Sequence, residues 1–192
     1  MIAGVDYGSK MAGTTVISYW DSGKVTFHQS EKSKDADSFI CDIVSMHQFN
    51  VLALDAPLSL PGVYHRLPNK HDYFYRDCDR QLKAMSPMFI GGLTARAMKL
   101  KKQIEKTGAE VIEAYPKAIA KGLDYHHLYQ KKNKGTLQNF VSLLVKQHSV
   151  ELSNMPVNWH QVDSLLALLI ASKYVDGRCD CAGDAKEGQI FY

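Results

Sequence analysis

The chain opens on a short apolar run, Ile2 to Val5, that stops at an acid, Asp6. A loop through Tyr7, Gly8, Ser9 and Lys10 leads to a second β-rich run, Thr14 to Tyr19. This pattern predicts a hairpin with a tight turn and an aspartate held at the end of its first strand. A carboxylate there lies at the edge of a sheet core, where it can meet a metal or a phosphate. Two later runs repeat the arrangement: Val51–Leu54 ends on Asp55, and Glu110–Ile112 ends on Glu113. Ligand sites of α/β sheets gather at the carboxyl ends of strands, so these acids constrain the fold and the site together.

The other segments fit around these strands. Lys24 to Gln29 alternates polar and apolar residues after an Asp21-Ser22-Gly23 turn and predicts a third strand. Phe39, Ile40, Ile43, Val44 and Met46 recur at helical spacing within a helix expected over 35–49. Val51 to Asp55 is apolar almost throughout, which suits a central strand covered on both faces, and Pro57 breaks it. Leu93 to Thr107 predicts a helix closed by Gly108, with Arg96, Lys99, Lys101, Lys102 and Lys106 on its exposed face. A basic segment, Lys131 to Gly135, precedes a helix expected over 137–148. The last helix starts at Asn158 as N-cap, with Gln161 at the capping-box position, and runs to about Asp176. The tail, Gly188 to Tyr192, is expected to add an edge strand. A meander of strands followed by alternation with helices implies an α/β domain, with a mixed sheet flanked by helices. No repeat or linker divides the 192 residues, so one domain is expected.

A loop-rich insertion, about residues 58–92, interrupts this pattern after the fourth strand. It interleaves His65, Arg66, Lys70, Arg76, Asp77, Asp79 and Arg80 with Tyr64, Tyr73, Phe74 and Tyr75, and substrate contacts are expected there. Arg76, Asp79 and Arg80, together with Lys10 in the first loop, are candidate substrate-binding residues. The same three insertion residues can equally form an ion-pair network that pins the insertion, and Lys10 can simply be solvated.

Composition narrows the class of protein. The 45% hydrophobic and 22% charged content is that of an ordinary globular chain, and no run reaches the length of a membrane span. The strand-like start argues against a signal peptide, so a cytoplasmic protein with reduced thiols is expected. Cys179 and Cys181 are too close for a usual zinc knuckle. A net charge of +3 permits nucleic-acid binding without arguing for it.

The fourth acid, Asp163, lies near the start of the final helix and shares a face with Leu166, Ala167 and Ile170. That face reads as buried. A carboxylate on it needs a partner, since burial alone costs several kcal/mol or shifts its pKa. Asp6, Asp55, Glu113 and Asp163 are therefore the candidate catalytic and metal-binding residues. Converging carboxylates repel one another, and hard oxygen ligands favour Mg²⁺ or Mn²⁺ as the neutralising cation. A pair of such ions would suit in-line phosphoryl displacement. Structural roles remain open for each: a turn residue for Asp6, a turn cap for Asp55, a strand-end salt bridge for Glu113 and a helix-dipole contact for Asp163.

The segment Gly4-Val5-Asp6-Tyr7-Gly8-Ser9-Lys10 resembles the opening of RuvC-like Holliday-junction resolvases. The wider pattern resembles the DUF429 family of predicted ribonuclease H-like nucleases. It comprises Gly4-Val5-Asp6, Leu54-Asp55-Ala56-Pro57-Leu58, Arg76-Asp77-Cys78-Asp79-Arg80, Glu113-Ala114-Tyr115-Pro116 and Val162 to Ala167. The resemblance implies a ribonuclease H-like fold, whose five-stranded mixed sheet begins with three antiparallel strands. It implies Asp6, Asp55 and Asp163 as metal-binding acids with Glu113 as a fourth, a Mg²⁺ or Mn²⁺ requirement, and DNA or RNA as partner. A resolvase-like pair of cuts would call for a homodimer. The chain departs from the resolvases in having Ser164 after its single helix acid and in carrying the insertion. Two other functions fit the same fold: a non-catalytic binding protein, and an actin-like or sugar-kinase-type ATP phosphotransferase. Those phosphotransferases pair two such domains, and no second phosphate hairpin is present here.

Overall fold

The computed structural model describes residues 1–192, with the side chain of Lys134, in the basic segment, outside the described set. Five strands form the main sheet: β1 (Ile2–Asp6), β2 (Val16–Asp21), β3 (Lys24–Gln29), β4 (Val51–Asp55) and β5 (Glu110–Glu113). Their order is β3-β2-β1-β4-β5. The first three are antiparallel, while β4 runs parallel to β1 and β5 parallel to β4. This is the mixed sheet of a ribonuclease H-like topology. Six helices accompany it: α1 (Ala36–Met46), α2 (Asp77–Leu82), α3 (Gly91–Ile104), α4 (Pro116–Lys121), α5 (Leu137–His148) and α6 (Trp159–Val175). A separate hairpin, β6 (Cys181–Asp184) and β7 (Gly188–Phe191), closes the chain.

The strands bury both faces, as their apolar runs require. On one face Ala53, Ile112 and Ala114 pack against α4, α5 and α6. On the other, Ala3, Val5, Leu52, Leu54 and Val111 meet α1 and α3. Ten consecutive residues of α6, Val162 to Ala171, are buried. Such a helix lies inside the molecule rather than along its surface. Gly4 sets how closely it lies on the sheet. A Cβ there would stand 2.0 Å from the Leu168 amide nitrogen and 2.3 Å from the Ser164 carbonyl oxygen. Ser18 on β2 ties down the same turn by donating to the Ser164 carbonyl at 2.9 Å. Only a residue without a side chain lets α6 come this near to β1.

Several segments differ from the sequence expectation. The β1–β2 connection is not a tight turn, because it spans residues 7–15 and folds onto the β3–α1 connection. Gly8 N–H donates to Thr15 Oγ1 at 3.0 Å, and the Lys10 carbonyl accepts from Ala36 N–H at 2.9 Å. These bonds draw Thr14 and Thr15 out of the strand. The insertion is not all loop: it contains a 3-10 turn (Gly62–His65) and α2, and α3 begins at Gly91. The short α4 was not foreseen, although Pro116 at its first turn is a helix-start signal. Gly108 does close the α3 segment, with φ +92° after a 3-10 turn (Glu105–Thr107). The tail pairs with β6 rather than extending the main sheet, and meets the main sheet's edge where Phe191 bridges Ala114 and its carbonyl accepts from Tyr115 N–H at 3.1 Å.

Candidate metal centre

Strand register brings the first two acids together. Asp6 and Asp55 are register partners at the carboxyl ends of the parallel pair β1 and β4. Register partners point to the same face of a sheet. Gly4 and Ala53, two residues earlier on each strand, face α6, so both carboxylates do as well. Asp163, one turn into α6 and 1% exposed, meets them there. Each of the three residues offers a carboxylate oxygen within 4.8 Å of the other two.

Glu113 is not brought into this cluster. Its register partner is Leu54, not Asp55. The offset of one residue turns Glu113 to the opposite face, because side chains alternate along a strand. There it receives the Arg76 guanidinium in a bidentate pair, Nη1 to Oε2 at 2.7 Å and Nη2 to Oε1 at 2.6 Å. Leu58 N–H adds a third bond at 2.8 Å. Arg76 has no exposed surface and also grips Asp79, from Nη2 at 2.7 Å and Nε at 3.0 Å, and donates to Ser59 Oγ at 2.8 Å. Burial works against the Arg76 charge, but the hydrogen bonds to Glu113 and Asp79 outweigh it and hold the guanidinium firmly protonated. Arg76 and Asp79 are thus bound in a network that fixes the chain leaving β4. Arg80 is exposed, pairs with Asp72 at 2.7 Å and lies over the Tyr75 ring at 3.9 Å. Lys10 is exposed and pairs with Asp35 at 3.0 Å.

Three residues around the cluster were not singled out by sequence. Lys131 donates from Nζ to Asp163 Oδ2, Tyr129 OH donates to Asp163 Oδ1 at 2.5 Å, and His160 Nδ1 meets Asp6 Oδ2 at 2.8 Å. A signal existed for His160, which precedes Asp163 by three residues on the same helix and so shares its face. Lys131 stands in the basic segment, but nothing in its spacing says that it folds back onto α6. Arg96 was also misplaced, because it is not on a solvated face. It clamps Asp37 from Nη2 at 2.6 Å and reaches the Gly8 carbonyl at 3.2 Å, while Tyr7 OH donates to Asp37 at 2.5 Å. These contacts fix the loop that leaves Asp6.

The electrostatics of the centre are those of crowded negative charge. Burial, then Asp6 and Asp163, push the Asp55 carboxyl well above its ordinary range. Burial also raises Asp163, to about 6, although the Lys131 ammonium opposes the shift. The bond to Asp6 raises His160, favouring its imidazolium. Burial disfavours the Lys131 charge, yet Asp163 outweighs that and raises its pKa. Among the described residues no donor reaches the Asp55 side chain, so one carboxylate of the three faces the others without a hydrogen bond. An oxygen-only ligand set with a deficit of positive charge fits a hard divalent cation. A second acidic group, Asp77, Asp184 and Glu187, is different in kind. It surrounds the Lys70 ammonium, at 2.5, 3.6 and 2.7 Å respectively, and fastens the insertion to the β6–β7 hairpin.

No family model, curated protein or solved structure matches the chain. Among the described residues no helix is long and apolar enough to cross a membrane.

Proposed function

We propose that Asp6, Asp55 and Asp163 hold Mg²⁺ or Mn²⁺ and that the protein hydrolyses phosphodiester bonds in nucleic acid. The observation that carries this reading is the convergence of the three carboxylates, one of them without a hydrogen-bond donor, at the strand ends of a ribonuclease H-like sheet. The resemblance to resolvases and to DUF429 proteins points the same way. When bound, divalent ions supply the charge that activates a water and stabilises the leaving oxygen. The protein's own groups prepare the site. Gly4 lets α6 carry Asp163 within reach, Arg96 and Arg76 brace the loops after β1 and β4, and His160 orients Asp6. Lys131 gives Asp163 a cation partner in the metal-free protein. Glu113 then serves as a positioning residue through Arg76 rather than as a ligand.

A second reading rests on Lys131 alone. An ammonium already paired with Asp163 can stand as the permanent counter-ion of a non-catalytic ribonuclease H-like protein. Calorimetric titration of Mn²⁺ into the wild type and Asp6→Asn separates the two. Saturable binding that the substitution abolishes, followed by Mn²⁺-dependent cleavage of DNA or RNA, is the expected result. No binding up to millimolar Mn²⁺, and no cleavage of single-stranded, duplex or branched substrates, would leave the non-catalytic reading.

A further inference from the structure

The four strongly exposed aromatic side chains among the described residues all belong to the insertion: Tyr64, Tyr73, Phe74 and Phe89. Elsewhere the Phe, Tyr and Trp rings of the described residues are buried wholly or in part. The exposed rings are ordered. Phe74 and Phe89 pack with centroids 5.6 Å apart, and Phe89 meets the edge of Tyr75 at 5.8 Å. The Arg80 guanidinium covers Tyr75. Asp72 caps the segment by accepting from Phe74 N–H at 2.8 Å and Tyr75 N–H at 3.0 Å. Ser86 Oγ fastens the neighbouring turn to the Phe74 carbonyl at 2.5 Å. The surface is a braced platform, and the same insertion carries Arg66 and Lys83, exposed cations with no ion-pair partner among the described residues.

Beside the platform a cleft reaches one acid of the candidate metal centre, Asp55. The cleft, of about 150 Å³, has Asp55 and the Arg76-bound acids Glu113 and Asp79 on its walls, with Pro57, Met85, Ile90, Leu93 and Tyr115 around it. Ile90 follows Phe89 directly, and Met85 is itself exposed at the rim. A cavity of roughly this size accepts one benzene-like ring. Duplexes keep their base faces stacked inside, so only unpaired nucleotides present rings to such a surface.

We infer that this surface binds single-stranded nucleic acid, seating one base in the cleft beside Asp55 and stacking the next on Phe89 and Phe74. The inference rests on the nuclease reading for the polarity of the site and makes single-stranded segments its substrate class. Stacked rings hold successive bases whatever their identity, while the cations follow the backbone, so binding is tolerant of sequence and weakens with salt.

The test is fluorescence anisotropy with labelled single-stranded and hairpin-duplex oligonucleotides in chelator, where no metal-dependent cleavage occurs. The wild type is expected to prefer the single strand at least about tenfold, and Phe74→Ala/Phe89→Ala to weaken that binding about tenfold or more. Both substituted rings are exposed, so melting temperature and Mn²⁺ binding should be unchanged. Equal affinity for duplex and single strand, or a double variant that binds as the wild type does, overturns the inference. So does a concentration-dependent dimer, lost in the double variant, without oligonucleotide binding, since the rings would then be a self-interface. Strand binding by a wild type that takes no Mn²⁺ sinks the nuclease reading and upholds the platform.

Discussion

Asp163→Asn should make the metal-free protein more stable, and the gain should depend on pH in a defined way. The Asp163 carboxyl titrates at about 6 in the fold against an ordinary 3.8. A raised carboxyl pKa means that the folded state holds its proton more tightly than the unfolded state. The contribution to stability is therefore complete below about pH 4 and is lost as pH rises through about 6. A shift of about two units corresponds to a loss of about 3 kcal/mol above pH 7, an upper figure for so crowded a site. Asparagine does not titrate, and its Oδ1 can still accept from Tyr129 OH. Lys131, about half exposed, can turn to water when its partner is gone. The variant's advantage should thus be near zero at pH 4, grow to pH 6 and level off at up to about 3 kcal/mol. For a chain of this size that is roughly 6–12 °C in melting temperature. The assay is thermal and urea unfolding in chelator across pH 4–8, repeated with Mn²⁺. The metal should stabilise the wild type by about 2.7 kcal/mol at a hundred times its dissociation constant, and leave the variant unchanged. A variant less stable than the wild type at pH 8 in chelator, or a gap independent of pH, would refute the repulsion argument. Asp163 would then be a net stabilising partner of Lys131 and Tyr129.

Three further outcomes follow from the same geometry. Arg76→Ala leaves Glu113 and Asp79 buried without their shared cation and should cost about 3–5 kcal/mol in urea unfolding. Gly4→Ala places a methyl group against the backbone of α6, so it should cost about 3 kcal/mol or more and abolish Mn²⁺ binding by displacing Asp163; a folded variant with wild-type affinity would contradict the packing argument. Lys131→Ala removes a half-exposed competitor worth up to about 1 kcal/mol, so calorimetry should show Mn²⁺ affinity raised by up to about fivefold, while unchanged or weaker binding would mean that Lys131 does not compete with the metal.

Much of this was legible in the residues. Val51–Asp55 and Lys24–Gln29 appear as strands at the expected positions because their patterns are local: a continuous apolar run in one, period-two alternation in the other. Asn158 caps α6 as expected, accepting from Gln161 N–H at 3.0 Å, since capping is settled within one turn. The Gln161 side chain bonds Val157 N–H, one residue before the cap, so the reciprocal box does not close as drawn. The buried face of Asp163 was also visible, from the apolar residues three, four and seven positions on.

Other features depend on contacts between distant segments. The pattern that ends three strands on acids says nothing about which face each acid takes. One residue of register, Glu113 opposite Leu54, separates a carboxylate held by arginine from two that face a third. Lys131 and His160 reach Asp163 and Asp6 only because loops and α6 return to the sheet, and Arg76 is buried only because the insertion folds onto β5 and the terminal hairpin. By itself the sequence determined the five strands of the main sheet, the main helices and the strand-end positions of Asp6 and Asp55, since those follow from periodicity and capping over a few residues. The tertiary structure alone decided which acids converge, which cation answers them and where the exposed rings stand. Those outcomes turn on register and on the close approach of α6 at Gly4, which no local pattern encodes.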